Sequence, residues 1–326
     1  MRSAILLGSL GLMAAPLTTV AAHLNLQAKA SGAALLKDPA QSKHFVHFDC
    51  GTNQTHASDH LLETVQALHA DNTFRSPGAK LRARGLGRRQ VSKPIVIQTV
   101  FHIISTAANA NSVTPDMPEL QVAALNKVYN PVGFNFDLVN TTWTNNDAWA
   151  VGAGDDMNAM KKALRQGTYA TLNIYFHSDL DGSILGKCSM PSKTGDPASA
   201  VPVNPSEYFD DGCSVNSGTM PNGSIYGYAE GMTAVHETGH WLGLFHIFEG
   251  YTCEGEGDFI SDTPAQSEST DGCPVGPPAK NTCPDLPGED AIHNIMDYST
   301  DACYQGFSPL QIQRMQDMWS LYRAGQ

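Results

Sequence analysis

Apolar positions recur along this chain in two rhythms, and the switches between them mark out its elements. Behind Asp59, read as the cap, Leu61, Leu62, Val65 and Leu68 share one helical face. Pro94 through Ile104 is dense in β-branched residues and reads as a strand. A helix is predicted near Glu119 to Tyr129, then an alternating strand from Phe134 to Thr142. Asp155 to Gln166 returns to helical spacing, and Leu172 to Phe176 to a strand. Strand, helix, strand, helix, strand predicts an α+β (mixed α/β) fold, a mixed sheet with helices packed on it.

The second half is patterned differently. Residues 178–230 are rich in Gly, Ser, Asn and Pro and read as loop. A helix is predicted from about Met232 to Leu242. From Glu249 to about Gly306 regular structure is scarce, and the cysteines there suggest disulfides in place of a hydrophobic core. The chain closes with a helix whose start is explicit. Ser308 and Gln311 form a capping box, Pro309 takes the first helical position, and Ile312, Met315, Trp319 and Tyr322 line one face.

Composition changes this picture at the front. Arg2, the apolar stretch Ala4 to Leu17 and the small residues Val20, Ala21 and Ala22 have the form of a signal peptide, so the protein is expected to be exported. That stretch is too short to cross a membrane, and no later one is longer. Export makes the sequons at Asn53, Asn140 and Asn222 usable. The formal net charge of −12 argues against a nucleic-acid partner. It is unevenly spread, with 10 basic and 5 acidic residues through Arg89 and 10 basic and 27 acidic beyond it. A basic front and an acidic body suit a pro-segment lying on its own enzyme. Arg75 to Arg89, rich in Arg and Gly, reads as an exposed linker, with processing expected after Arg89 and Arg84 as the alternative point. The expected division is therefore signal peptide 1–22, pro-segment 23–89 and a catalytic domain 90–326. There are seven cysteines, and Cys50 stands alone in the front segment.

The chemistry is carried by His236-Glu237-Thr238-Gly239-His240-Trp241-Leu242-Gly243-Leu244-Phe245-His246. Histidines four apart on a helix lie about 40° apart around its axis, so both imidazoles can reach one ion. Glu237 projects about 100° away from His236. There it can hold the metal's water and take its proton. On a continuous helix His246 would face the wrong way. Gly243 can end the helix in the left-handed conformation and let the chain return His246 to the metal. Three nitrogens and one open position is the catalytic zinc pattern. His102, His177 and His293 read as structural polar groups.

These residues resemble a metzincin metalloprotease, the clan defined by this histidine pattern and a later methionine turn. The turn is matched by Asn294-Ile295-Met296-Asp297-Tyr298-Ser299. The resemblance implies Met296 beneath the metal and Tyr298 as a donor to the tetrahedral intermediate. Asp262-Thr263-Pro264 and Asp301-Ala302-Cys303 extend it to the pappalysin family, in particular its secreted fungal-type members. That family implies an upper subdomain with a twisted sheet (about 90–245) and a lower irregular one (about 246–326). Substrate protein would lie along an edge strand, for which Ser183 to Ser189 is the candidate. It further implies disulfides Cys253–Cys283 and Cys273–Cys303, which leaves Cys188–Cys213. Calcium, a second metal in some members, would find oxygen ligands in Asp258, Asp262 and Thr263. Cys50, in Cys50-Gly51-Thr52, matches the element whose thiolate blocks the zinc of the precursor, so the protein's own pro-segment is an expected inhibitory partner. Here Asp49 precedes the cysteine, where an arginine would better match the best-known cysteine-switch pattern.

Overall fold

A computed structural model describes residues 48–74, 93–192 and 205–326. The expected signal peptide and the Arg89 processing point lie outside these residues.

Five strands form one sheet in the order β2-β1-β3-β5-β4. Its centre is β1 (Ile95–Ser105), flanked by β2 (Phe134–Asn145) and β3 (Leu172–His177), both parallel to it. β5 (Cys213–Asn216) pairs parallel with β3. β4 (Gly186–Cys188) closes the edge as the antiparallel strand. β3 is buried at every position, as expected of a strand covered on both faces. Helix α1 spans Asp59–Phe74, α2 Met117–Tyr129, α3 Asp147–Val151, α4 Gly154–Leu164, α5 Pro205–Asp210, α6 Met232–Trp241 and α7 Pro309–Met318. α7 runs on into a wider turn over Trp319–Arg323. Among the described residues no helix is long and apolar enough to cross a membrane.

The expected elements form, with corrections at their ends. Ser58 rather than Asp59 caps α1, because its hydroxyl accepts the Leu61 N–H at 3.2 Å and its carbonyl the Leu62 N–H at 3.0 Å. Asp59 is instead the acidic residue of the first turn. The stretch read as loop carries β4, α5 and β5. The two strands are three and four residues long, too short to show a period. A disulfide from Cys188 to Cys213 holds them as neighbours. The closing helix starts as read, with Ser308 and Gln311 bonding reciprocally and Pro309 behind the cap.

One core joins the sheet to α2 and α6 through Phe101, Ile174, Phe176, Val235 and Trp241. A smaller cluster docks the front segment on the body, with Leu61 and Val65 of α1 against Phe245, Met318 and Tyr322. Beyond α6 the chain is irregular apart from a short turn at Asp301–Cys303 and the closing helix. Disulfides Cys253–Cys283 and Cys273–Cys303 tie that part together. Buried behind the site, Asp211 accepts from Arg165, Arg323 and Trp241 Nε1, joining α4, the C-terminal turn and the end of α6. Arg323 also lies 3.5 Å over the Trp241 ring. A buried carboxylate holds its charge only with such partners, and here they keep its pKa low against the cost of burial.

Candidate active site

α6 is buried along its length from Thr233 to Trp241. Gly231 opens it at φ +84°, and the Asp301 carboxylate sits at its N-terminus, accepting the Glu230 N–H at 2.7 Å and the Met232 N–H at 3.5 Å. An acidic group there complements the helix dipole. At the other end Gly243 takes φ +87°, and an added Cβ would stand 2.5 Å from Met318. Only glycine meets both conditions. The turn that follows brings His246 back beneath the helix.

The three Nε2 atoms converge. His236 and His246 are 3.2 Å apart, His240 and His236 3.1 Å, and His240 and His246 3.1 Å. Each ring is held from behind. His236 Nδ1 donates to the Ile295 carbonyl at 2.7 Å and His240 Nδ1 to the Leu244 carbonyl at 2.8 Å. Glu249 lies 3.6 Å from His246 Nδ1. With Nδ1 protonated, the three Nε2 lone pairs face one another, an unfavourable arrangement unless a cation lies between them. Burial and the neighbouring imidazoles keep His236 and His240 well below their usual pKa, hence neutral. Ligands about 2.0–2.1 Å from a tetrahedral zinc are about 3.3 Å apart, so the residues present fit that ion.

Cys50 completes the set. Its Sγ lies 3.5 Å from His240 Nε2, and the thiol and the three imidazoles offer ligand atoms all within 4.8 Å of one another. The front segment reaches this place as an added strand. The Leu185 N–H donates to the Asp49 carbonyl at 2.8 Å, and the Gly51 N–H to the Gly186 carbonyl at 2.8 Å. The pairing with β4 is parallel. Thr52 then brackets Cys188 through both its backbone groups. The candidate edge is thus occupied by the chain itself.

Glu237 projects from α6 toward β4, and neither carboxylate oxygen has a hydrogen-bond partner. Burial lifts its pKa to about 8. Burial first, and the nearby Glu237 second, raise the Cys50 thiol well above its ordinary value, while a cation among the nitrogens acts in the opposite sense. Met296 is fully buried beneath α6, and its Sδ sits where a Cβ on Gly239 would come within 2.5 Å. Tyr298 OH accepts the Cys50 N–H at 3.2 Å and donates to the Cys50 carbonyl at 3.3 Å. Burial raises its pKa, so it remains a donor.

The other singled-out residues lie apart. Asp258 is buried and accepts the Thr263 hydroxyl at 2.9 Å, while Asp262 reaches to α7 and accepts from Ser308 Oγ and the Leu310 N–H. His102 bonds Thr142 and Asn173, His177 the Trp149 carbonyl, and His293 the Cys303 carbonyl. Sequence reasoning missed Gly186, Phe48, Tyr228 and Asp301 as site neighbours. They come from separate segments; Gly186 lay inside the candidate edge Ser183 to Ser189 and Asp301 inside a recognised motif, and neither was read as touching the site.

A model of the pregnancy-associated plasma protein-A peptidase family (Peptidase_M43) matches residues 198–320. An extracellular metalloprotease of Aspergillus oryzae is 43% identical over 263 residues, 73% of this chain and 80% of that protein. One from Neurospora crassa is 41% identical over 279 residues, 85% of this chain and 90% of that protein. The fold is similar to that of Tannerella forsythia promirolysin, with a TM-score of 0.57 at 22% identity, covering 84% of this chain and 94% of that one. It is likewise similar to mature mirolysin in complex with a cleaved peptide, with a TM-score of 0.55 at 24% identity, covering 70% and 92%.

Proposed function

The chain belongs to the pappalysin (Peptidase_M43) family of metalloproteases, and we propose that it is a secreted zinc endopeptidase made as a latent precursor. The observation that carries this reading is the convergence of Cys50 with His236, His240 and His246 beside the unpartnered carboxylate of Glu237.

His236, His240 and His246 would hold the zinc. When bound, the ion supplies a Lewis acid that polarises a carbonyl and acidifies water. The remaining work falls to this chain's own groups. β4 binds an extended peptide through the N–H of Leu185 and the carbonyl of Gly186, the groups that the front segment now uses. Glu237 accepts the proton of the attacking water and returns it to the leaving amine. Tyr298 OH, a buried donor beside the histidines, stabilises the developing oxyanion. Met296 and Ile295 fix the helix and the first imidazole from below.

Latency follows from occupancy. With Cys50 as a fourth ligand the site would have no open position for water, and the segment running parallel to β4 would cover the edge where substrate pairs. Release would follow cutting in the basic linker, after Arg89. The boundaries at 22 and 89 belong to this proposal. Calcium at Asp258, Asp262 and Thr263 is not needed by it.

Casein digestion by the activated protein, with and without a zinc chelator and beside Glu237→Gln, tests the reading. Activity is expected only in the unchelated wild type. Casein cleavage by Glu237→Gln would remove Glu237 from its role. Loss of zinc in that variant would make Glu237 a ligand instead.

A further inference from the structure

The three imidazoles are not backed alike. Behind His236 and His240 stand the carbonyls of Ile295 and Leu244, groups fixed by the backbone. Behind His246 stands a carboxylate. The Glu249 N–H donates to the His246 carbonyl at 3.1 Å, so one turn carries both side chains, and Glu249 is almost wholly buried. Its two oxygens are placed differently. Oε1 accepts the Gln54 N–H of the front segment at 2.9 Å. Oε2 has no hydrogen-bond partner and lies 3.6 Å from His246 Nδ1, an ion-pair distance too long for a hydrogen bond. The His246 ring is stacked on Phe248 at 5.0 Å and meets Tyr298 in edge contact, also at 5.0 Å. Neither ring contact decides which nitrogen carries the proton.

We infer that Glu249 is the positioning residue of the third zinc ligand, and that Gln54 holds it off until the front segment leaves. The inference rests on the peptidase reading above and adds a regulation of its metal site. A carboxylate behind a ligating imidazole keeps the proton on Nδ1, leaves Nε2 free for the ion and makes that nitrogen more basic. A carbonyl does the first two, and the negative charge strengthens the third. When Gln54 departs, Oε1 loses its donor, and the carboxylate is free to close on Nδ1 to the length of a charge-assisted bond, about 2.7–2.9 Å. Loss of the Cys50 thiolate is then offset by a stronger His246, and the processed site keeps its metal with one position open. The competing role is docking alone, in which Glu249 only holds the front segment through Gln54. A docking group has no work once the segment is gone, and that difference supplies the test.

Zinc affinity is measured by chelator competition on the secreted protein freed of its front segment, as wild type and as Glu249→Gln, an exchange that keeps the shape and removes the charge. The variant is expected to bind zinc about 10- to 100-fold more weakly, the scale of losses at such partners. A loss below that range overturns the inference. Urea unfolding of the same two proteins without metal should give coincident midpoints. A midpoint lowered in step with the affinity would make Glu249 a structural group, and the inference falls on that result too. The uncut full-length chain supplies the second arm. There Gln54 occupies the carboxylate, so the same substitution should cost less than about tenfold, the lower end of that scale. A loss as large as in the processed protein removes Gln54 from its part. Wild-type processed protein is assayed on casein alongside. Failure of that sample to bind zinc or to cleave casein overturns the peptidase reading itself, whatever the variant does.

Discussion

Gly186 and Glu237 occupy one contact: a Cβ on Gly186 would stand 2.5 Å from Glu237 Oε1 and 2.7 Å from its Cγ. The absence of a side chain at Gly186 is what lets the carboxylate lie against the backbone of the edge strand. Glu237 is not among the residues whose ligand atoms gather at the metal site, so the contact sets its place rather than that of a ligand.

Gly186→Ala is therefore expected to displace the carboxylate by a fraction of an ångström to an ångström. Misplacement on that scale costs on the order of 10²-fold in rate. Turnover of a peptide substrate should fall by that factor while zinc content, read by metal analysis, stays at one per chain. A variant that keeps full turnover would show that Glu237 has room to spare.

Cys50→Ser keeps the shape of the front segment and removes a soft ligand. The precursor variant is expected to digest casein without losing residues 23–89, its mass being checked before and after assay. Activity should stay below that of the processed protein, because the Leu185 and Gly186 hydrogen bonds and the packing of Leu61 and Val65 on Phe245 and Met318 remain. An inactive Cys50→Ser precursor would place latency in coverage of the edge strand alone.

Much of this architecture could be read from the residues, and what escaped did so for physical reasons. The helix of His236 and His240, the break at Gly243 and the cap at Ser308 and Pro309 are local, so their spacing carries them. β1 is long and dense in β-branched residues, and β3 is mostly apolar and buried throughout, so both show their nature directly. β4 and β5 are short, and their pairing is fixed by Cys188–Cys213 and by β3, contacts that no window along the chain contains. Asp301 reaches α6 from 69 residues away. Phe48 meets Tyr228 and Tyr298 from a segment far away in sequence. Asp49 meets the edge strand through its backbone carbonyl, which accepts from Leu185, and a backbone contact leaves no mark in the sequence.

Gly243→Ala should uncouple the third histidine from the first two. The left-handed conformation costs a non-glycine residue on the order of 1–3 kcal/mol, and the methyl would also meet Met318 at 2.5 Å. Relief by moving the turn carries His246 away from the other two Nε2 atoms. The expected result is a fall in melting temperature together with zinc loss at chelator concentrations that the wild type withstands. A lower melting temperature with unchanged zinc retention would show that the turn yields at Met318 instead.

Acid should weaken the fold before it reaches the carboxylates, and the reason lies in the central sheet. His102 is buried between Thr142 and Asn173, and burial first of all lowers its pKa to about 4. His177, bonded to the Trp149 carbonyl, is lowered to about 3 for the same reason. Both are neutral when folded and gain a proton on unfolding at any pH below about 6.5, so the unfolded chain binds more protons there. Their contribution is complete above about 6.5 and declines as pH falls toward 4 and then 3. Burial lowers the pKa of His236 and His240 as well, so the variant must isolate the sheet. His102→Asn keeps a side chain able to bond Thr142 or Asn173 and removes the titration. Urea unfolding of metal-free protein between pH 7 and 4.5 should show a shallower loss of stability for the variant than for the wild type, with similar values at pH 7. Parallel slopes would mean that His102 is not the group that resists protonation, and that its place between β2 and β3 is one of shape alone.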